Sequence, residues 1–270
     1  MHSSEKYEIN DQSPVSQSLR SIISERALDI ASHMVGRIES CLTENHPFQH
    51  VYLENVFPDG IYAEIRKRLP IRDCYVPFNI KKHVNDRGES TRDMLFLSQG
   101  GLNQITEDDK EFWQDILEAL HSSVLQQAIY QKFADDISIR LECDPLEVKN
   151  QESWVNTILV RDFENYELKP HPDGHPRVVT LMFYLAEDDS HQDLGTSLYK
   201  EVPLLKRPFY GRFKEIKRAP YRPNSCFAFA VNDSPLRRSW HGRELITAKN
   251  VIRDSIIVEW LYNARNIRPK

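Results

Sequence analysis

A jelly roll or two-sheet sandwich, mainly β with supporting α-helices, is the fold class that this sequence of 270 residues predicts. Three observations carry the prediction. Apolar residues recur at three-to-four spacing in two long stretches of the first half. After Ile137 the texture changes to short β-type runs, broken by Pro, Gly, Asn and Asp. Helices come first and strands afterward, rather than alternating as a parallel βαβ sheet requires, so the helices are expected to buttress one face of the β core.

Each element follows from its own pattern. Residues 1–14 (MHSSEKYEINDQSP) are polar and read as disordered. From about Ser16 to Leu42, the residues Leu19, Ile22, Ile23, Ala27, Ile30, Ala31, Met34, Val35 and Ile38 line one side of an amphipathic helix. His50 to Val56 alternates like a strand, and Asp59 or Gly60 opens a short helix ending at Pro70. A second long helix starts near Thr106, a suitable N-cap. It carries the stripe Phe112, Trp113, Ile116, Leu117, Leu120, Val124, Ala128, Ile129 and Phe133, which reads as core. Strands are expected at ISIRLE, WVNTILVRDF, YELKPH, RVVTLMFYL, TSLYK, FKEIKRAPY, SCFAFAV, RELIT and DSIIVEWLY. The expected organisation is a disordered 1–14 and a single domain over 15–270, with a helical part at 15–136 and a jelly-roll core at about 137–263.

Composition narrows the partners. A formal charge of −5 argues against bulk attraction to nucleic acid or an anionic membrane. No apolar run reaches the roughly 18–20 residues of a membrane span, and the N-terminus lacks the apolar stretch of a secretory signal. Cys41, Cys74, Cys143 and Cys226 lie far apart with no CxxC pair, which favours reduced thiols and a cytoplasmic protein over a zinc ribbon or a disulfide framework.

The chemistry is expected from three short pieces. In His171-Pro172-Asp173, at the end of YELKPH, side chains two apart project to one face of an extended strand and can reach one ion. The third ligand must come from a remote strand, and His241 of Trp240-His241-Gly242 suits. Two histidines and a carboxylate capping one face of an octahedral ion are what non-haem Fe(II) oxygenases use. A rival with the same spacing, His191-Gln192-Asp193, lies in the polar run EDDSHQDLG, which reads as an exposed turn with no strand to hold ligands. His175 is expected to face solvent or neighbour the metal site. In the third piece, Arg253-Asp254-Ser255, the arginine precedes the apolar run SIIVEWLY. A buried guanidinium there must be paired. It can take a carboxylate bidentately, with Ser255 donating to the same anion, or it can form a structural salt bridge with a carboxylate such as Glu259.

With these residues in place, the stretch from about Trp154 to Tyr262 resembles the Fe(II)/2-oxoglutarate-dependent dioxygenase superfamily, nearest its prolyl-4-hydroxylase-like branch. The likeness rests on YELKPHPD, RVVTLMFYLAED, DLGTSLYK, RPNSCFAFAV, SWHG and RDSIIVEWLY. HPFQHVYLENVFPDGIYAEI also resembles the strand and helix that open such domains. The resemblance implies a double-stranded β-helix with helices packed on the major sheet. It implies iron ligation by His171, Asp173 and His241, and 2-oxoglutarate binding by Arg253 and Ser255. The cofactors implied are Fe(II) and 2-oxoglutarate as co-substrate, with ascorbate as a candidate reductant. The reaction implied consumes O2, releases succinate and CO2, and hydroxylates an unactivated C–H bond of a small-molecule or peptidyl substrate. Three departures stand out. Leu168 occupies the place of a tyrosine that some relatives use for the co-substrate. Leu194-Gly195-Thr196 stands where many have a double glycine. Arg253 follows His241 by twelve residues, a slightly longer gap than in many relatives.

The segment 200–222 carries Lys200, Lys206, Arg207, Arg212, Lys214, Lys217, Arg218 and Arg222 against only Glu201 and Glu215. Phe209, Tyr210, Phe213 and Tyr221 are interleaved, and Arg237, Arg238 and Arg243 flank the distal histidine. Such a rim can focus an anionic substrate into a cleft, with Arg212, Tyr210 and Arg238 as candidate contacts. Two other readings compete. A non-enzymatic jelly roll would hold a metal or ligand and release no succinate. A nucleic-acid demethylase would suit the basic and aromatic segment, but the acidic total and the lack of a second arginine on the closing strand oppose it. No nucleic-acid or membrane partner is expected.

Overall fold

A computed structural model of the chain describes residues 23–78, 83–85, 87–97, 99–232, 234 and 237–262. The segment 1–14 and the start of the first helix at Ser16 lie outside the described residues.

Helix α1 (Glu25–Ser40) starts where the Ser24 hydroxyl accepts from the Ala27 N–H at 3.0 Å. It buries Ala27, Ile30, Ala31, Met34 and Ile38, part of the stripe that the spacing predicts. Strand β1 (His50–Glu54), helix α2 (Asp59–Lys67), strands β2 (Val76–Pro77) and β3 (Arg92–Phe96) and helix α3 (Gln99–Leu102) follow. The second long helix is broken in two. Helix α4 (Glu107–Leu120) ends at His121, and α5 (Ser123–Lys132) restarts with the Ser122 hydroxyl accepting from the Leu125 N–H at 3.4 Å. Serine serves the free N–H groups of a helix start better than it serves a helix interior, so His121-Ser122-Ser123 divides the stripe.

One expected strand is a helix. ISIRLE forms most of α6 (Ala134–Leu141), which closes at Glu142 in the left-handed region, φ 52°. Six residues of alternating character fit either period, and Asp135 and Asp136 in the first turn favour the helix.

The remaining strands are β4 (Ser153–Asp162), β5 (Leu168–His171), β6 (Arg177–Tyr184) and β7 (Thr196–Glu201). Short helix α7 (Arg207–Tyr210) precedes β8 (Phe213–Ala219), β9 (Ser225–Ala230), β10 (His241–Arg243) and β11 (Arg253–Tyr262). The strand expected at RELIT shares only Arg243 with β10; beyond it Ile246 exchanges backbone hydrogen bonds with Asn165 and Tyr166 outside any strand.

Among the described residues these strands make two antiparallel sheets. The major sheet runs β1-β9-β6-β11-β4-β3-β2, and the minor sheet runs β5-β10-β7-β8. Helices cover the outer face of the major sheet, where Ala27, Met34, Trp113, Ile116 and Leu125 share one core with Leu181, Phe183, Ala228, Val258 and Trp260. The space between the sheets holds a second core of Tyr166, Met182, Tyr184, Leu198, Tyr221, Phe227 and Phe229. Strands β6 and β9 are buried along nearly their whole length, which is why RVVTLMFY and CFAFA read as unbroken apolar runs. Three strands from the N-terminal half (β1, β2 and β3) complete the major sheet.

Register fixes which inward side chains share a level. Phe229, Thr180, Glu259 and Asn156 form one row across β9, β6, β11 and β4. Two residues along come Phe227, Met182, Ile257 and Ile158, then Ser225, Tyr184, Ser255 and Val160. Beyond them Arg253, Asp162 and Arg92 sit abreast on β11, β4 and β3. Among the described residues no helix is long and apolar enough to cross a membrane.

Candidate active site

Strand β10 lies between β5 and β7, and its pairing sets His241 directly opposite His171. The two imidazole rings lie 4.5 Å apart between centroids, and Phe229 packs against the other side of His241, also at 4.5 Å. Asp173 follows two residues after His171 and extends its Oδ1 to within 3.8 Å of His171 Nε2 and 3.9 Å of His241 Nε2. Ligand atoms of all three residues lie within 4.8 Å of one another, and no other such group of His, Cys, Asp or Glu occurs among the described residues.

Each candidate ligand is aimed by a further bond. His171 Nδ1 bonds the Lys169 carbonyl at 2.9 Å, and His241 Nδ1 bonds the Ser239 carbonyl at 2.9 Å. A carbonyl only accepts, so both rings carry their proton on Nδ1 and turn an Nε2 lone pair inward. Thr180 donates to Asp173 Oδ2 at 2.7 Å, which leaves Oδ1 facing the two Nε2 atoms. Arg177 Nη1 stands 3.5 Å from Oδ1 and its Nε bonds Glu259 at 2.5 Å. Burial, then the charge of His241, push the His171 pKa down to about 4, so this ring is neutral at physiological pH. Burial opposes ionisation of Asp173, but the charges of His241, Arg177 and His171 and the Thr180 hydroxyl outweigh it and hold the carboxyl below its ordinary value. Two imidazole Nε2 atoms and one carboxylate oxygen turned to one point form the donor set that suits a ferrous ion.

Gly242 explains why the distal histidine precedes a glycine. A Cβ there would lie 2.5 Å from the Leu168 carbonyl oxygen, so β10 can approach β5 this closely only without a side chain. Gly242→Ala is expected to push β5 outward and part His171 from His241. Titration with Mn(II) should show affinity weakened about 10-fold or more, with the far-UV circular dichroism unchanged.

Deeper between the sheets lies a cationic cradle. Arg253 is 3% exposed, its Nε donates to the Leu194 carbonyl at 2.7 Å, and its Nη1 donates to Asp162 at 2.8 Å. Tyr184 and Tyr221 face its guanidinium at 5.3 and 5.4 Å. Arg92 grips Asp162 from the other side through Nε at 2.5 Å and Nη2 at 3.0 Å. Arg253 is therefore ion-paired, but to Asp162 and not to Glu259, which belongs to Arg177. Nearby donors have no partner: the Ser255 and Tyr166 hydroxyls, and Nε and Nη1 of Arg243, are buried and unbonded. Burial, then the charges of Arg253 and Arg218, lower the Arg243 pKa to about 10, which keeps it cationic at neutral pH. Unbonded buried donors of this kind fit an acidic ligand.

The structure thus brings His171, Asp173 and His241 together and lines the same interior with Arg253 and Ser255. Arg212 and Arg238 gather on Trp240, the residue before His241, at 5.6 and 5.8 Å from its ring. Tyr210 stands apart at the end of α7, 70% exposed. His191 precedes and Asp193 lies within a short helical turn at Gln192–Leu194, where Gln192 and Asp193 are exposed and Leu194 is buried. His175 bonds the Tyr262 hydroxyl beside the site. The basic segment is less free than its composition suggests. Among the described residues five of its eight cations find ion-pair partners, and Glu44, Glu54 and Asp189, which lie outside it, supply part of the pairing. Sequence reasoning missed Arg177, Thr180, Asp162 and Tyr166, and it set Arg243 on the rim where the structure buries it. The one available signal was at Arg243, two residues from His241 as Asp173 is from His171.

No family model and no curated protein matches the sequence. Solved structures do resemble it. A dioxygenase for auxin oxidation in rice aligns at TM-score 0.50 and 14% identity, over 87% of this chain and 80% of that one. A prolyl-4-hydroxylase of Pseudomonas putida aligns at TM-score 0.47 and 12% identity, over 87% and 100% of the two chains. The non-heme alpha ketoglutarate dependent epimerase SnoN from nogalamycin biosynthesis aligns at 0.48 and 12%, over 87% and 84%. At such identities the likeness is one of architecture, and the expected fold holds: this chain is a double-stranded β-helix with helices packed on its major sheet.

Proposed function

We propose that the chain is an Fe(II)- and 2-oxoglutarate-dependent dioxygenase that oxidises an unactivated C–H bond, with hydroxylation as the outcome. The observation that carries this reading is the convergence of His171, Asp173 and His241 on one point between the two sheets. Ferrous iron with bound 2-oxoglutarate would supply the activation of dioxygen, coupling loss of CO2 and formation of succinate to oxidation of the substrate. The chain's own residues bind, aim and exclude. His171, Asp173 and His241 hold the metal. Arg253 and Ser255 sit below it on the inner face of β11 and hold the far carboxylate of the co-substrate. Phe227, Phe229, Met182 and Tyr184 wall the interior between these two ends and keep it dry. No side chain is needed as acid or base, because the substrate gives up a hydrogen atom.

The substrate meets the open side, where the His171 side chain is 35% exposed. Trp240 with Arg212 and Arg238 forms a cationic and aromatic edge next to His241, which supports an anionic small molecule or peptide as substrate. Arg212→Gln with Arg238→Gln is expected to raise the KM for substrate about 10-fold without changing substrate-free turnover of 2-oxoglutarate. Equal loss in both assays would make the edge structural. A cytoplasmic site of action belongs to this reading, supported by four cysteines that are all unpaired.

A succinate-release screen tests the activity. Anaerobically purified protein is supplied with Fe(II), 2-oxoglutarate, ascorbate and oxygen across pools of acidic small molecules and peptides. Succinate should appear with the wild-type chain and vanish in His171→Ala and His241→Ala. Metal binding with no succinate under any condition would favour the binding-protein alternative.

A further inference from the structure

We propose that Arg243, assisted by the Tyr166 hydroxyl, is a second anchor for the far carboxylate of the dicarboxylate co-substrate, received from the minor sheet opposite Arg253. This rests on the co-substrate reading above and adds a residue to it.

The first support is the state of the guanidinium. Arg243 is 5% exposed, and its Nε and Nη1 have no hydrogen-bond partner. A buried guanidinium with unmet donors is costly, and such a group persists when it serves a ligand. Arg253, the arginine that the chain offers from β11, already gives its Nε to Leu194 and its Nη1 to Asp162. Two of its three nitrogens are therefore committed, whereas Arg243 has two to give.

Position is the second support. Arg243 is two residues from the ligand His241 on β10; the pairing with β5 shifts register between them, yet both side chains are buried, and Arg243 lies within electrostatic reach of the interior residues Arg253, Asp162 and Tyr166. At about 3.3 Å per residue the offset along the strand is about 7 Å, comparable to the length of an extended five-carbon diacid whose oxo-acid end is at the metal. Tyr166, fully buried with an unbonded hydroxyl, lies within electrostatic reach of Arg92, Arg253 and Arg243. It offers the phenol that Leu168 cannot. Charge is the third support. Arg92, Arg253 and Arg243 bring three positive charges to this end of the barrel, and among the described residues Asp162 is the one carboxylate bonded among them; Arg218 and Asp193 also act on Arg243 and oppose each other. A bound carboxylate reduces that excess.

Binding without turnover tests the assignment. Protein loaded with Zn(II) is titrated by calorimetry with 2-oxoglutarate and, separately, with 2-oxobutyrate, which has the same oxo-acid end and no far carboxylate. For Arg243→Gln the Kd for 2-oxoglutarate should rise about 30-fold, while that for 2-oxobutyrate stays within threefold of wild type. Arg243→Lys should fall between. A thermal measurement needs no metal: Arg243→Met removes an unpaired buried charge and should raise the Tm of the ligand-free chain, while the Tm increase on adding 2-oxoglutarate shrinks. Unchanged 2-oxoglutarate affinity in Arg243→Gln, equal weakening of both acids, or a fall in the Tm of Arg243→Met would each overturn the proposal and leave the oxygenase reading standing. Failure of the wild-type, Zn(II)-loaded chain to bind either acid would instead overturn the reading on which it rests.

Discussion

Alanine at position 241 is expected to weaken divalent-metal binding by more than about 100-fold, beyond the 10- to 100-fold that loss of a supporting bond around a metal site costs. His241 is 5% exposed, and its ring is fixed between His171 and Phe229 with Nδ1 bonded to Ser239. Its Nε2 therefore has one direction available. Without it, His171 and Asp173 remain as a pair two residues apart at the end of β5, and an octahedral ion gains a fourth position open to solvent. Titration calorimetry with Mn(II) reads the loss directly. The fold should survive, because Phe229 on one side of the ring belongs to an apolar core and alanine introduces no charge. A His241→Ala chain that bound Mn(II) as the wild type does would place the metal elsewhere.

Asp162→Asn is expected to destabilise the chain by about 3–5 kcal/mol, the cost of leaving a buried charge without its partner. Asp162 is fully buried and is the shared carboxylate of Arg92 and Arg253, with contacts of 2.5, 3.0 and 2.8 Å. The amide keeps the shape but removes the negative charge, and it must present an N–H group to one of two guanidinium groups that can only donate. Urea unfolding should show the lower stability as an earlier midpoint with an unchanged slope. Bound 2-oxoglutarate should recover part of the loss, since a carboxylate then returns to the cradle. An unaltered midpoint would mean that the two arginines find other partners.

How far the sequence disclosed this molecule depends on whether a relation was local or across strands. His171 and Asp173 were legible because residues two apart on an extended segment share a face, although β5 itself ends at His171. Helix α1 was legible from the spacing of Ala27, Ile30, Met34 and Ile38. Asp162 was not, because nothing in WVNTILVRDF tells that its last carboxylate lies abreast of an arginine ninety-one residues later. The same limit misjudged the 200–222 segment, where Lys217 and Arg222 find carboxylates more than 160 residues away. ISIRLE failed for a different reason: six residues cannot distinguish a period of 2 from one of 3.6. Arg243 was in view as a flanking cation, and the rule that paired His171 with Asp173 would have turned it inward had it been applied.

Anomalous diffraction from crystals grown anaerobically with Mn(II) tests the central claim most directly. One anomalous peak per chain should stand between His171 Nε2, His241 Nε2 and Asp173 Oδ1, within bonding distance of all three. A peak at His191 and Asp193, or none between the two sheets at saturating Mn(II), would contradict it.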